Sequence, residues 1–525
     1  MSMPSGAGLN RRDFVKLGIG GVSALVLAAC SSAVQEAKQD NQSEGSAEPG
    51  GTLVIGSLSD LNPATIFSQS LTSMTVGTLV FDTLIRLDPI SSDPKPRVAT
   101  SWDVSDDGLT VRLELRTDVT FHTGRTLTSK DVAYSLANLA KDSAGSQLQA
   151  AAQTVTSVDT SEAAVAVLTL AHPLVNLFDL LEFMLLTDSE TEAGLLAGDS
   201  FVGTGPFVFD SWQRGQQSAW KRNDTYWGGA PLLESVTVRV VPDNSALLSS
   251  VRSGQTNAVI GVSAQDARPF RSDSAFRVET EDVYDVAYYV GANVVDPALA
   301  DKRIRQAISY AVDRDRILAE VLGGAGIASS APWPQSSPAY DEAATKHYSR
   351  DLDKAKSLLR DAGAPSTSLK LSYGTGLAPA ATIAAIVQSN LADIGIKVDL
   401  DPREQATFSP FLSSGQQQLW INPHGFGQLN PSTLATGAAP FKPAKNLSGY
   451  SSPEYTAIVD RVWKQPDPKS ADALAAYKEF SDLLLDEQFV IDLAITTNTN
   501  VYTGGVRDVA WNRYKNLILD KTYFA

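Results

Sequence analysis

The residues predict an α/β fold, because stretches with a two-residue apolar period alternate with stretches of helical period along most of the chain. Three segments carry that prediction. Val111-Arg112-Leu113-Glu114-Leu115-Arg116 alternates apolar and charged side chains as a half-exposed strand does. Thr128-Ser129-Lys130-Asp131, shortly after it, has the capping-box pattern that opens a helix, expected to reach Leu139. Leu369 to Tyr373 and Lys397 to Leu400 flank a helical stretch around Thr382–Ala392, which is the order of a βαβ unit.

The first elements are not part of the folded body. Asn10-Arg11-Arg12-Asp13-Phe14-Val15-Lys16 sets a twin arginine before an apolar stretch, Leu17 to Ala29, that is too short to span a bilayer. The stretch ends Leu27-Ala28-Ala29-Cys30, which resembles a bacterial lipobox. Small residues fit a signal peptidase, and the thiol of Cys30 would accept a diacylglyceryl group. Residues 1–29 are therefore expected to be a signal peptide, exported by the twin-arginine or the general secretory route, with Cys30 the lipidated first residue. An ordinary signal peptide with an incidental cysteine is the alternative. Residues 30–50, rich in Ser, Gln, Glu and Gly, have no apolar period and are expected to form a flexible tether.

Beyond the tether, Thr52 to Gly56 and Ser235 to Val241 read as strands and Ile304 to Val312 as a helix. Leu352, Ala355, Leu358, Leu359 and Ala362 share one helical face that Gly363 closes, with Pro365 beyond. Leu474, Tyr477, Phe480 and Leu484 are expected to line the buried face of a late helix, followed by a strand from Phe489 to Ile495. At 525 residues the chain is too long for one core, so two or three lobes are expected.

Composition excludes several functions. Hydrophobic residues make up 43% and charged residues 19%, the balance of a globular protein, and no long apolar run free of charges follows the leader. The net charge is −16, and because residues 1–29 contribute +2 the remainder carries −18, a surface that repels phosphate backbones. No nucleic-acid partner is expected. With one cysteine, neither an intrachain disulfide nor a thiolate metal cluster can form.

Motifs for chemistry are absent or broken. Gly203-Thr204-Gly205 precedes Pro206 and a strand, Phe207-Val208-Phe209, where a phosphate loop needs a helix N-terminus, so the turn reads as structural. The four histidines, His122, His172, His347 and His424, have no paired spacing for a metal. No Gly-x-Ser-x-Gly elbow follows the tether. No cofactor is expected and the chain is not expected to be an enzyme. A carboxylate pair is compatible with the sequence, which keeps a secreted, lipid-anchored hydrolase as the alternative.

Several segments in a shared order resemble the extracytoplasmic solute-binding proteins of family 5, which serve peptide and nickel ABC importers. They are Pro96 to Trp102, Leu115 to Gly124 with Leu127 to Val132, Gly203 to Phe207, Asn223 to Gly229, and Ile304 to Arg314. The resemblance implies a two-lobed periplasmic-binding-protein-like fold with a hinge and an extra inserted domain. On this chain lobe I would be 51–88, 200–288 and 493–525, the inserted domain 89–199 and lobe II 289–492. It implies a monomer that captures a small polar solute, peptide-like or other, in the cleft between the lobes. The lobes would close on a hinge, and the loaded form would pass the solute to permease subunits coupled to an ATPase. The protein would lie outside the cytoplasm, held at the cell membrane by the lipid.

Cleft candidates follow. Tyr289 and Asn293 fall where the family chain crosses between lobes. Trp333 lies in a Pro-flanked stretch, and Tyr288, Trp420 and Phe426 are further aromatics that would suit either a cleft or a core. Peptide-binding relatives often carry a Trp, an acid three positions on and a second acid before Pro; the first acid takes the peptide ammonium. Here His424, Gly427 and Asn430 stand in those places. A buried ammonium without a carboxylate is costly, so a ligand that relies on a cationic amine is not expected. Asn422, His424 and Asn430 suit hydroxyl, carbonyl or neutral amide groups instead.

Overall fold

The structure, a computed structural model, describes residues 49–68, 70, 72–89, 91–281, 286–364, 367–425 and 430–525. Arg11, Arg12, the lipobox with Cys30, and Phe426 and Gly427 lie outside the described residues.

Thr52–Ser57 is the strand around which the first sheet is built. Its apolar side chains at Leu53 and Ile55 are buried, and it pairs in parallel with Ser235–Val240 on one side and Ala258–Val262 on the other. The seven strands run in the order Phe276–Thr280, Thr499–Thr503, Ala258–Val262, Thr52–Ser57, Ser235–Val240, Gln217–Arg222, Phe207–Gln213. The first strand after Gly203-Thr204-Gly205 is thus an edge strand. The turn itself is structural: a Cβ on Gly203 or Gly205 would collide with the Val80 backbone, and His122 Nε2 lies 3.0 Å from the Gly205 carbonyl oxygen.

A second sheet of six strands has the order Gly326–Ala328, Val490–Thr496, Val286–Ala292, Leu419–His424, Thr367–Gly374, Ile396–Arg403. The βαβ unit is present: Thr367–Gly374 pairs in parallel with Ile396–Arg403, and the helix Ala378–Ala392 joins them. Lys302–Ala311 is a helix capped by Asp301, whose side chain accepts from Arg303 N, and Leu352–Asp361 ends before Gly363 in the left-handed region at φ +71. The late helix is Ala471–Glu487, with Ala473, Tyr477, Phe480 and Leu484 buried. Leu474 corrects the expectation: it is 43% exposed, because Ala473 and Ala476 complete the inward face in its place.

Between the first strand and the rest of the first sheet, Ala99–Val104, Thr110–Leu115, Val165–Leu170 and Val155–Asp159 form an antiparallel sheet of four. The capping box at Thr128 and Asp131 opens the helix Ser129–Leu139 as the sequence predicts. This segment also reaches the second sheet's side of the molecule, where Asn176 Nδ2 donates to Thr433 Oγ1 at 2.8 Å and the His172 ring meets Trp463 edge-on at 4.5 Å. Two passages link the main sheets. One follows Phe276–Thr280 and enters the second sheet at Val286; the other leaves it at Thr496 and enters the first sheet at Thr499. Among the described residues no helix is long and apolar enough to cross a membrane.

Candidate ligand-binding cleft

The Lys515 side chain joins both passages. Ala510–Trp511 and Leu517–Ile518 form a short hairpin. Asn512 Oδ1 accepts from Tyr514 N at 3.0 Å and Asn516 N at 2.8 Å, a side-chain turn that accompanies Lys515 at φ 64, a conformation non-glycine residues adopt only when the surroundings hold it. From there Lys515 Nζ pairs with the Glu281 carboxylate and donates to Thr497 Oγ1 at 3.2 Å. Glu281 also accepts from Asn500 Nδ2 at 3.0 Å. The side chains of the pair are 1% and 6% exposed, so it is shielded from solvent and stiffens the place where the chain passes between the sheets.

Beside this pair opens a cavity of about 730 Å³. Glu279, Glu281 and Asn500 of the first sheet's edge line one wall and Trp511, Asn512 and Lys515 another, while Gln335 and Ser336, beyond the Gly326–Ala328 strand of the second sheet, face them. A smaller void of about 260 Å³ adjoins it through Ser336 and is bounded by Phe178, Asp179, Asn430 and Arg513. The larger volume suits a small solute. A third void, of about 830 Å³, borders the passages at Thr496 and at Tyr288, one of the aromatics the sequence offers for a cleft.

Asp179 organises the smaller void. Its carboxylate accepts from the Tyr514 hydroxyl at 2.7 Å and from Asn430 N at 3.3 Å, so one buried side chain ties the 89–199 segment, the C-terminal segment and the second sheet's side together. Burial pushes its carboxyl above the ordinary range, opposed by the charge of Arg513 and the Tyr514 hydrogen bond. Burial likewise pushes Glu182, one turn on, up to about 8, although Leu87 N donates to it at 2.9 Å.

Besides Tyr288, eight ligand residues were read from the sequence, and of these Asn430 borders a void. It caps the helix Pro431–Gly437 by accepting from Ser432 N at 3.0 Å, and its Nδ2 lies 3.4 Å from the Tyr477 hydroxyl. Tyr289, Trp333 and Trp420 have no exposed surface and belong to one apolar cluster. Trp333 Nε1 donates to Ser481 Oγ at 2.7 Å, and Trp420 lies over Gly291, where any Cβ would strike its ring. Asn293 is buried with its amide donating to the Gly415 and Gln417 carbonyls at 3.0 and 2.8 Å, which ties down a loop. Asn422 is half-buried opposite Tyr289 in the second sheet. His424 is buried, its Nε2 3.9 Å from Asp492 Oδ1 and its ring 5.3 Å from Phe441.

Apart from Asn430 and Tyr288, the residues that line the cavities were not singled out in the sequence. One signal was available: Trp511-Asn512-Arg513-Tyr514-Lys515-Asn516 is an aromatic and polar run with no strand or helix period. Its partner Glu281 lies 234 positions earlier, and spacing gives no hint of that pairing.

A two-sheet body crossed by two passages, with a cavity between its halves, defines a two-lobed solute receptor. Residues 93–439 match the bacterial extracellular solute-binding proteins, family 5, and the chain belongs to that family. It is 25% identical to di/tripeptide-binding protein 2 of Pseudomonas aeruginosa over 455 residues, 79% of this chain and 84% of the relative. A putative ABC transporter peptide-binding protein of Brucella ovis is 30% identical over 399 residues, 72% of this chain and 74% of the relative. The fold is similar to the substrate-binding protein CtaP of Listeria monocytogenes, with TM-score 0.80 and 21% identity over 91% of this chain and 100% of the other. It is also similar to the oligopeptide-binding protein AppA of Bacillus subtilis in complex with a nonapeptide, with TM-score 0.77 and 21% identity over 91% and 100%. The protein is thus an extracellular solute-binding protein, and nothing in these likenesses supports the hydrolase alternative.

Proposed function

We propose that this chain is the receptor of an ABC importer, a lipid-anchored monomer that encloses one small polar solute between its lobes and delivers it to permease subunits. The cavity of about 730 Å³ carries the reading, because its walls come from the edge of the first sheet, from the C-terminal segment and from Pro334, Gln335 and Ser336 of the 289–492 segment, so opening at the passages exposes it and closing seals it. The relatives' names, which speak of peptide binding and ABC transporters, support a peptide-like or similar polar solute. We assign lobe I to 51–88, 200–288 and 493–525, the inserted domain to 89–199 and lobe II to 289–492, bounds read from the sequence that fall inside two strands of the second sheet, Val286–Ala292 and Val490–Thr496. Within the ligand wall we place Asn430 and, from the sequence, Phe426. Lipobox and leader support anchoring at Cys30 outside the cytoplasm.

Small-angle scattering tests this. Saturation with the solute that copurifies with the protein should reduce the radius of gyration, bind one solute per chain, and return that solute chemically unchanged. A scattering profile unaltered at saturation contradicts lobe closure, and a cleaved solute restores the hydrolase alternative.

A further inference from the structure

Six ionisable side chains line the two adjoining voids: the acids Glu279, Glu281 and Asp179 and the bases Lys515, Arg513 and Lys469. All six are engaged within the protein. Glu279 holds Arg277 at 2.5 Å, Glu281 holds Lys515, Asp179 is bound by Tyr514 and Asn430 beside Arg513, Arg513 donates to Ser92, and Lys469 lies 3.6 Å from Asp93. The neutral groups on the same walls are in the opposite condition. Among the described residues the Gln335 amide and the Ser336 hydroxyl, both on exposed residues, make no hydrogen bond to the protein. The Asn512 amide accepts twice through Oδ1, while its Nδ2 makes none. Trp511 adds an aromatic surface beside them.

Deep in the cleft, beside the buried Lys515–Glu281 pair and the buried Asp179, a charged solute would have to break a pair or sit without a counter-charge, and both are unfavourable away from water, whereas the Glu279–Arg277 and Lys469–Asp93 pairs lie toward solvent. A neutral solute would satisfy the open amide and hydroxyl groups at no such cost. Resting on the cleft being the binding site proposed above, we infer that the solute is an uncharged molecule rich in hydroxyl or amide groups, either a short glycan or a peptide with blocked ends. Residues 425–429 contain no ionisable side chain. Asp282 and Asp285 lie outside the described residues and enter the test directly.

The test is isothermal titration of the purified protein, dialysed free of solute, with cellotriose, N-acetyl-trialanine amide and zwitterionic trialanine. One of the two uncharged probes should bind at least about 10-fold more tightly than trialanine, and which one does so identifies the source. Gln335→Ala, at an exposed position where folding is unaffected, should weaken that binding by about 5-fold or more, the loss of one hydrogen-bond partner. Trialanine binding more tightly than its blocked form overturns the inference, as does trialanine binding that is lost on Asp282→Asn or Asp285→Asn. If no probe binds, mass spectrometry of the solute released on denaturation decides. An uncharged solute upholds the inference, and a free amine or carboxylate overturns it while leaving the receptor reading intact. A protein that takes no probe and releases no solute contradicts the receptor reading itself.

Discussion

Lys515 and Glu281 form a buried ion pair across 234 positions of sequence, and the pair sits where the chain passes from one sheet to the other. Removing one partner leaves a charge in a place from which water is excluded. Lys515→Met should therefore cost about 3–5 kcal/mol, measured by chemical denaturation. The double variant Glu281→Leu with Lys515→Met should recover most of the loss, because it removes the stranded charge as well. Equal destabilisation of single and double variants would show that packing, and not the pair, is responsible.

Glu182 should make stability fall with rising pH. Its folded value, pushed up to about 8 by burial, lies above its ordinary value of 4.5, so the folded state holds the proton more tightly. The resulting stabilisation is complete below the unfolded value and is lost as pH rises from there through about 8. Between pH 5 and 8.5 the thermal midpoint of the protein should drop, and Glu182→Gln, which cannot ionise, should flatten that drop and be the more stable form at pH 8.5. Parallel curves for the two proteins would contradict this.

Tryptophans at two depths should behave differently. Trp333 is fully buried and packs at 6.0 Å from Phe480, so Trp333→Ala should cost about 3–5 kcal/mol of stability. Trp511 lines the cavity, and Trp511→Ala should weaken solute binding by about 1–3 kcal/mol with a smaller effect on unfolding. Titration beside thermal melts separates the two, and unchanged affinity in Trp511→Ala would move the site elsewhere.

Asn430 joins a helix cap to the smaller void, so Asn430→Ala should lose affinity by about 1–3 kcal/mol and stability by about 1 kcal/mol. Asn430→Ser keeps a capping oxygen and should restore the stability alone. Recovery of affinity by the serine as well would indicate that the solute does not need the amide.

Anchoring rests on Leu27-Ala28-Ala29-Cys30. Cys30→Ala should release the protein from the membrane fraction after export, and replacement of Arg11 and Arg12 by Lys should block export by the twin-arginine route. A membrane-bound Cys30→Ala variant would point to an uncleaved leader, and normal maturation of the lysine variant to general secretion.

Sequence alone determined what is local. The capping box at Thr128 and Asp131, the βαβ order around Thr382–Ala392 and the glycine stop at Gly363 are each written within a few residues, since a cap or a turn needs only its neighbours. Motif order also determined the family, because each motif is a local string. What only the tertiary structure decided is which polar side chains meet. Trp333 and Trp420 have the residue type of a cleft wall, yet the helices Pro453–Trp463 and Ala471–Glu487 enclose them in core, while Gln335, two positions after Trp333, stays exposed beside a cavity. Glu281, Asn500, Trp511 and Lys515 come together through pairing across the two passages, and Asp179 reaches Asn430 from another part of the chain. Burial and partner choice depend on that long-range packing, to which the spacing of residues along the chain is blind.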